Sequence, residues 1–96
     1  MRSVVAAAVG LVVTAAALAA SAEPPAGAAS CTGCHATSTR VETPVPRLPG
    51  RDQPAIVRAL EEFRSGAKPA TVMDRIAKGF TDAEIQAIAA WFAGQK

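Results

Sequence analysis

Two cysteines and the chain's single histidine fall within one five-residue run, Cys31-Thr32-Gly33-Cys34-His35. A Cys-x-x-Cys-His run is the attachment pattern of a c-type haem. Cysteines at this spacing project from one side of a helical turn, so each can form a thioether with one haem vinyl group. His35, one turn beyond Cys31, brings its imidazole to the iron. Three plainer chemistries compete for the same residues. A closed structural zinc site needs four Cys or His ligands, and this run offers three. A catalytic dithiol belongs at a helix start within a βαβ pattern, and no strand run is present downstream to build that sheet. A Cys31–Cys34 disulfide would close so short a loop that it removes little entropy from the unfolded chain. Covalent haem is the reading that the rest of the chain can serve.

The remaining segments must position those residues. Met1-Arg2-Ser3 carries one positive charge, and an uncharged run of Ala, Val, Leu, Gly and Thr extends from Val4 to about Ala20. It ends in Ala20-Ser21-Ala22, small residues spaced for a signal peptidase, followed by the helix-breaking Glu23-Pro24-Pro25. The pattern predicts a secretory signal at residues 1–22, cleaved after Ala22, with a retained membrane anchor as the alternative. The functional domain is then residues 23–96, in the periplasm, without stable membrane insertion. The signal inflates the chain's 50% hydrophobic content. A mature chain this short buries a small core and calls for a staple, which a large apolar covalent cofactor supplies. With ten Lys and Arg against eight Asp and Glu, and Arg2 removed with the signal, the charge is near neutral. That balance gives no argument for nucleic acid or a strongly charged membrane surface.

Ala28 to His35 is expected to be a short helical stretch, and its small residues permit close helix approach. From Ala36 to Asp52, Thr, Ser and the prolines Pro44, Pro46 and Pro49 precede and surround Gly50, so no regular element can persist. This loop is expected to lie on the histidine side of the haem. A ligating imidazole usually donates its other N–H to a carbonyl, and Pro44 is the first candidate for that acceptor, with Pro46 as the alternative and a simple turn role for Pro44 as the plainer reading. Asp52 is placed to cap a helix running to Ser65 and ended by Gly66. Ile56, Val57, Leu60 and Phe63 form its apolar side, and Arg58, Glu61, Glu62 and Arg64 its solvated face.

Val72 to Lys78 reads as another short helix, stopped at Gly79. Met73 is the only methionine left after signal cleavage, there is no second histidine, and both cysteines are spent on vinyl groups. Met73 is therefore the expected second axial ligand, with a lysine or an open position as alternatives. The final helix begins with a Thr81-Asp82-Ala83-Glu84 capping box and runs to about Ala93. Ile85, Ile88, Ala89 and Phe92 make its buried stripe, with Trp91 at the edge of that face.

Cys31-x-x-Cys34-His35, Pro46-Arg47-Leu48-Pro49-Gly50, Phe63-Arg64-Ser65-Gly66 and the run from Met73 to Ile85 together resemble a small class I cytochrome c. The likeness extends over nearly the whole mature chain. More narrowly, Thr71 to Phe92 is similar to the monohaem cytochrome subunit of flavocytochrome c sulfide dehydrogenase. The resemblance implies an all-α fold of about four short helices wrapped around one covalent haem c. It also implies His35 and Met73 as iron ligands and a proline carbonyl matching Pro44 behind the histidine. One departure is the stretch from Ala36 to Thr43, which lacks the glycines common in the family after the haem histidine.

The function that the resemblance implies is electron transfer without a catalytic site of the chain's own. One setting is a subunit accepting electrons from an FAD flavoprotein sulfide dehydrogenase and passing them to a downstream redox acceptor, or a subunit of a sulfite dehydrogenase. Another is a free periplasmic carrier serving an oxidase or a reaction centre. Lys68, Arg75 and Lys78 flank the Met73 segment and are candidates for a docking rim, or are ordinary surface charge. An independent enzyme or gas sensor would want an open iron position, which Met73 argues against.

Overall fold

Local signals set most element boundaries. The computed structural model describes residues 23–96, and the expected signal at residues 1–22 lies outside them. Four helices are present, α1 (Ala28–Cys31), α2 (Gln53–Ser65), α3 (Met73–Ala77) and α4 (Asp82–Ala93), with no strand among the described residues. The all-α expectation holds. No helix among the described residues is long and apolar enough to cross a membrane.

The helix ends obey side-chain and glycine chemistry. α2 stops where Gly66 turns left-handed, at φ 83°, and its amide donates to the Phe63 carbonyl at 3.3 Å. At the start of α4 the expected capping box forms. Thr81 Oγ1 accepts from the Glu84 amide at 3.2 Å, and Glu84 Oε1 accepts from the Thr81 amide at 3.1 Å. Asp52 does occupy the N-cap position of α2, but its side chain accepts no capping hydrogen bond. Position and cap chemistry separate here because Pro54, at the first turn, has already removed one orphan donor.

The core is built on one face of α4. Ile85, Ile88, Ala89 and Phe92 are buried, as the stripe predicts, and Ile88, Ala89 and Phe92 join Ala28 of α1 and Ile56 of α2 in one cluster. Leu48, Val57, Leu60, Phe80 and Trp91 pack around it. Trp91 and Phe92 meet edge to face, with centroids 4.9 Å apart. α2 contacts both α3 and α4, and α1 lies on α4. The small-residue expectation for α1 is met at Ala28, which is fully buried against α4, and the residue before the helix tightens the approach further. Gly27 has φ 89°, and a Cβ there would fall 2.5 Å from Phe80 Cε1 and 3.4 Å from Ile88 Cδ1. Only glycine lets α1 sit this close to the α3–α4 junction.

A single ion pair among the described residues braces that junction. Arg64, near the end of α2, donates to Asp82 Oδ1 at 2.5 Å, and its other terminal nitrogen reaches the Phe80 carbonyl at 3.5 Å. The Asp82 side chain is 82% exposed, so the pair contributes at most about 1 kcal/mol, and its main effect is geometric.

Candidate cofactor site

The five-residue motif begins inside α1 and continues past it. The Gly27 carbonyl anchors the first turn, accepting from the Cys31 amide at 3.4 Å and from Ser30 Oγ at 2.6 Å. The regular helix ends at Cys31 instead of reaching His35. Beyond it the amides of Thr32, Gly33 and Cys34 each bond three residues back, to Ala29, Ser30 and Cys31, which tightens the chain into consecutive turns. The His35 amide returns to a four-residue reach, donating to the Cys31 carbonyl at 2.9 Å. Cys34 and His35 are thereby held one turn above Cys31, close to the arrangement expected of a continuous helix.

The two thiols are free and differ in setting. Burial pushes the Cys31 thiol above its ordinary value, with its own backbone N–H pulling the other way. Its Sγ donates to the Gly27 carbonyl at 3.4 Å, while Cys34 is exposed. The disulfide alternative is not realised, and no group of three or more metal-binding side chains is assembled among the described residues.

His35 Nδ1 lies 2.5 Å from the carbonyl oxygen of Pro46. A carbonyl only accepts, so this contact puts the proton on Nδ1 and leaves Nε2 with its lone pair. The acceptor expected of Pro44 is thus supplied by Pro46. Pro44 and Val45 form a bend, closed by the Val45 amide donating to Thr43 Oγ1 at 3.2 Å, and only after that bend does a carbonyl reach the ring. Pro46 is in turn fixed by its C-terminal neighbours. Arg51 Nε holds the Arg47 carbonyl at 2.7 Å, and the Gly50 amide donates to the Phe92 carbonyl of α4 at 2.9 Å.

These pieces surround a cavity of about 990 Å³. Cys31, Cys34 and His35 line one part of it, Pro44, Pro46 and Leu48 another, and Ile56, Leu60 and Phe63 of α2 a third. Residues 68–72, then Met73 and Ile76 of α3, close the remaining wall. The volume is at the upper end of the roughly 300–1,000 Å³ common for small-molecule and cofactor sites. Both thiols, the imidazole and the Met73 thioether share this cavity, and its wall is otherwise mainly apolar. The donor set and the space suit a flat, apolar macrocycle carrying a metal.

No family model matches the chain. Over 63 residues it is 41% identical to the cytochrome subunit of sulfide dehydrogenase from Chlorobaculum tepidum, a match covering 66% of this chain and 57% of that protein. Over 64 residues it is 33% identical to cytochrome c-552 from Acidithiobacillus ferridurans, covering 67% of this chain and 28% of that protein. The chain is a relative of c-type cytochromes. It spans little more than half of the first of these cytochromes and under a third of the second. Haem c is the cofactor that both relatives imply, and the Cys31, Cys34 and His35 run is of the type that binds it. The cytochrome fold expected from the sequence agrees with the four helices observed.

Of the proposed rim cations, all three are exposed, and only Lys68 lines the cavity, with Nζ 5.3 Å above the Phe63 ring. Three residues were not evident from sequence alone. Val72 and Ile76 are exposed apolar side chains on the cavity wall, and Arg51 is a cation on it. Ile76 was legible in principle, since it stands three residues after Met73 and shares its side of a helix.

Proposed function

We propose that this chain is a periplasmic electron-transfer protein, with residues 23–96 forming one monohaem domain released by cleavage after Ala22. The observation that carries the reading is the convergence of Cys31, Cys34, His35 and Met73 on one cavity. When bound, haem c supplies a one-electron ferric/ferrous couple. Cys31 and Cys34 would hold its edge by two thioethers, and His35, with Nδ1 committed to Pro46, would offer Nε2 to the iron. Met73, on the same cavity, would supply the second protein ligand to the metal. A thioether favours ferrous iron, raises the potential and closes the metal to exogenous ligands, which suits electron transfer over catalysis. Ile56, Leu60 and Phe63 give the cavity an apolar wall, which would keep water from a bound haem and the reorganisation accompanying electron transfer small.

The partner we infer is an FAD flavoprotein with sulfide dehydrogenase activity, for which this chain would be the cytochrome subunit. The 41% identity to a protein of that description supports it. A diffusible carrier is the second reading, favoured by the likeness to cytochrome c-552. Size-exclusion chromatography of native periplasm, monitoring haem and flavin absorbance together and identifying this chain in each fraction, separates the two. Co-elution with a larger flavin-containing protein supports the subunit, and sulfide should then reduce the haem in that fraction. Elution as a small haem protein alone refutes a stable subunit and leaves the carrier.

A further inference from the structure

The segment that carries Met73 is weakly held along its length. Of residues 66–81 only Ala77 is fully buried, and residues 66–72 are all exposed. The Lys68 amide donates to the Glu62 carbonyl at 3.2 Å, but no amide of residues 69–72 donates to a backbone carbonyl. Few buried contacts and few backbone hydrogen bonds mark a unit that opens before the rest of a fold. The two ends of this segment are nevertheless tied to each other. Arg64 stands near the end of α2 and Asp82 at the start of α4, eighteen positions on. One terminal nitrogen of Arg64 donates to Asp82 Oδ1 at 2.5 Å and the other to the Phe80 carbonyl at 3.5 Å. The planar fork of a guanidinium can engage two acceptors at once, and here they are the last turn of the segment and the helix that follows it.

Bringing the ends of such a segment together costs entropy, so a tie across them favours the closed form. Met73 and Ile76 belong to the segment and line the cavity, so its opening withdraws the thioether. Resting on the reading of Met73 as a metal ligand, we propose that Arg64 is a positioning residue that latches the Met73 segment shut and sets how often the metal opens to an outside ligand. The latch is weak by construction. Its Asp82 end is 82% exposed, so the pair is worth little and is screened by salt. Its influence falls on the opening of this one segment and not on the core beneath α4, to which neither partner belongs.

The test uses purified holoprotein with reduced haem and follows the rate of carbon monoxide binding at high gas concentration, where departure of the thioether limits the rate. Carbon monoxide is uncharged, so salt acts on the protein alone. Rates are compared at about 0.01 M and 1 M salt, where charges are felt over roughly 30 Å and 3 Å. The parent should bind slowly at low salt and about two- to five-fold faster at high salt, the span of an exposed ion pair. Arg64→Gln should be fast at both. Asp82→Asn, which removes the same pair from its other end, should also lose the salt response, and Arg64→Lys, which keeps the charge, should retain one of the parent's sign. Arg58→Gln removes an exposed cation from the same helix and should behave as the parent. An arginine that only stabilised the fold would lower the midpoint of guanidinium unfolding and leave the rate as in Arg58→Gln, and that result overturns the proposal. So does a salt response in Arg64→Gln as large as the parent's. If Arg64→Gln does not fold, Asp82→Asn decides by the same two readings. A parent that binds as fast as Met73→Ala removes Met73 as a ligand and the latch with it, whereas a slow parent with indifferent Arg64 variants refutes the latch alone.

Discussion

Replacing Gly27 with alanine adds one methyl group where the structure leaves no room for it. Two costs combine. At φ 89° an L-residue is in the left-handed region, worth about 1–2 kcal/mol against folding. The new Cβ would also lie 2.5 Å from Phe80 Cε1 and 3.0 Å from Cζ, an overpacking that costs about 1–3 kcal/mol. Gly66 isolates the first cost, because it has nearly the same φ, 83°, and nothing within 4 Å of a built Cβ. Gly66→Ala should therefore lose only the backbone contribution. The expected difference between the two variants is about 2 kcal/mol, or roughly 8–16 °C in Tm for a domain of this size. Thermal unfolding of the two holoproteins, monitored by far-UV circular dichroism, measures it. Equal midpoints for Gly27→Ala and Gly66→Ala would refute the argument that α1 is seated by close approach to Phe80. Pairing Gly27→Ala with Phe80→Leu should recover part of the loss, since neighbours sharing one contact are not additive.

Met73→Ala should admit carbon monoxide to ferrous haem and lower the reduction potential, both read by optical spectroscopy. A parent protein that binds carbon monoxide equally well would remove Met73 as the ligand. Thr81→Ala breaks half of the capping box and should cost about 1 kcal/mol in guanidinium unfolding. Phe92→Ala deletes a fully buried ring from the core and should cost about 3–5 kcal/mol by the same assay, enough to threaten folding of so small a domain.

The features legible in the sequence were mostly local. The Thr81 and Glu84 box, the Gly66 stop and the Ile85, Ile88, Ala89 and Phe92 stripe depend on residues within a turn or two of one another, and each is present in the structure. The attachment motif and Met73 could be singled out because few residues of suitable chemistry exist in the chain, and the structure places them on one cavity. Pro44 failed as the histidine's support because the direction of a loop carbonyl depends on the bend before it, and spacing does not record bends. Asp52 marked the start of α2 correctly, yet accepts no hydrogen bond from it. Gly27 and Arg51 were invisible for a different reason. The first matters through Phe80, more than fifty positions away, and the second through a cavity that exists only after several separate segments have met.

The Gly50 amide donates to the Phe92 carbonyl, and the Gln95 amide bonds to that same oxygen at 3.1 Å. One acceptor in the last turn of α4 thus receives both the segment just past the helix and the loop carrying Pro46. Helix ends ordinarily fray on their own, with little consequence elsewhere. Here fraying of the final turn releases Gly50, and with it the tether on the carbonyl that steadies His35. Local opening at the end of α4 and loosening at the histidine become one cooperative event, so slow amide exchange at Gly50 would report directly on how rigidly the His35 ring is held.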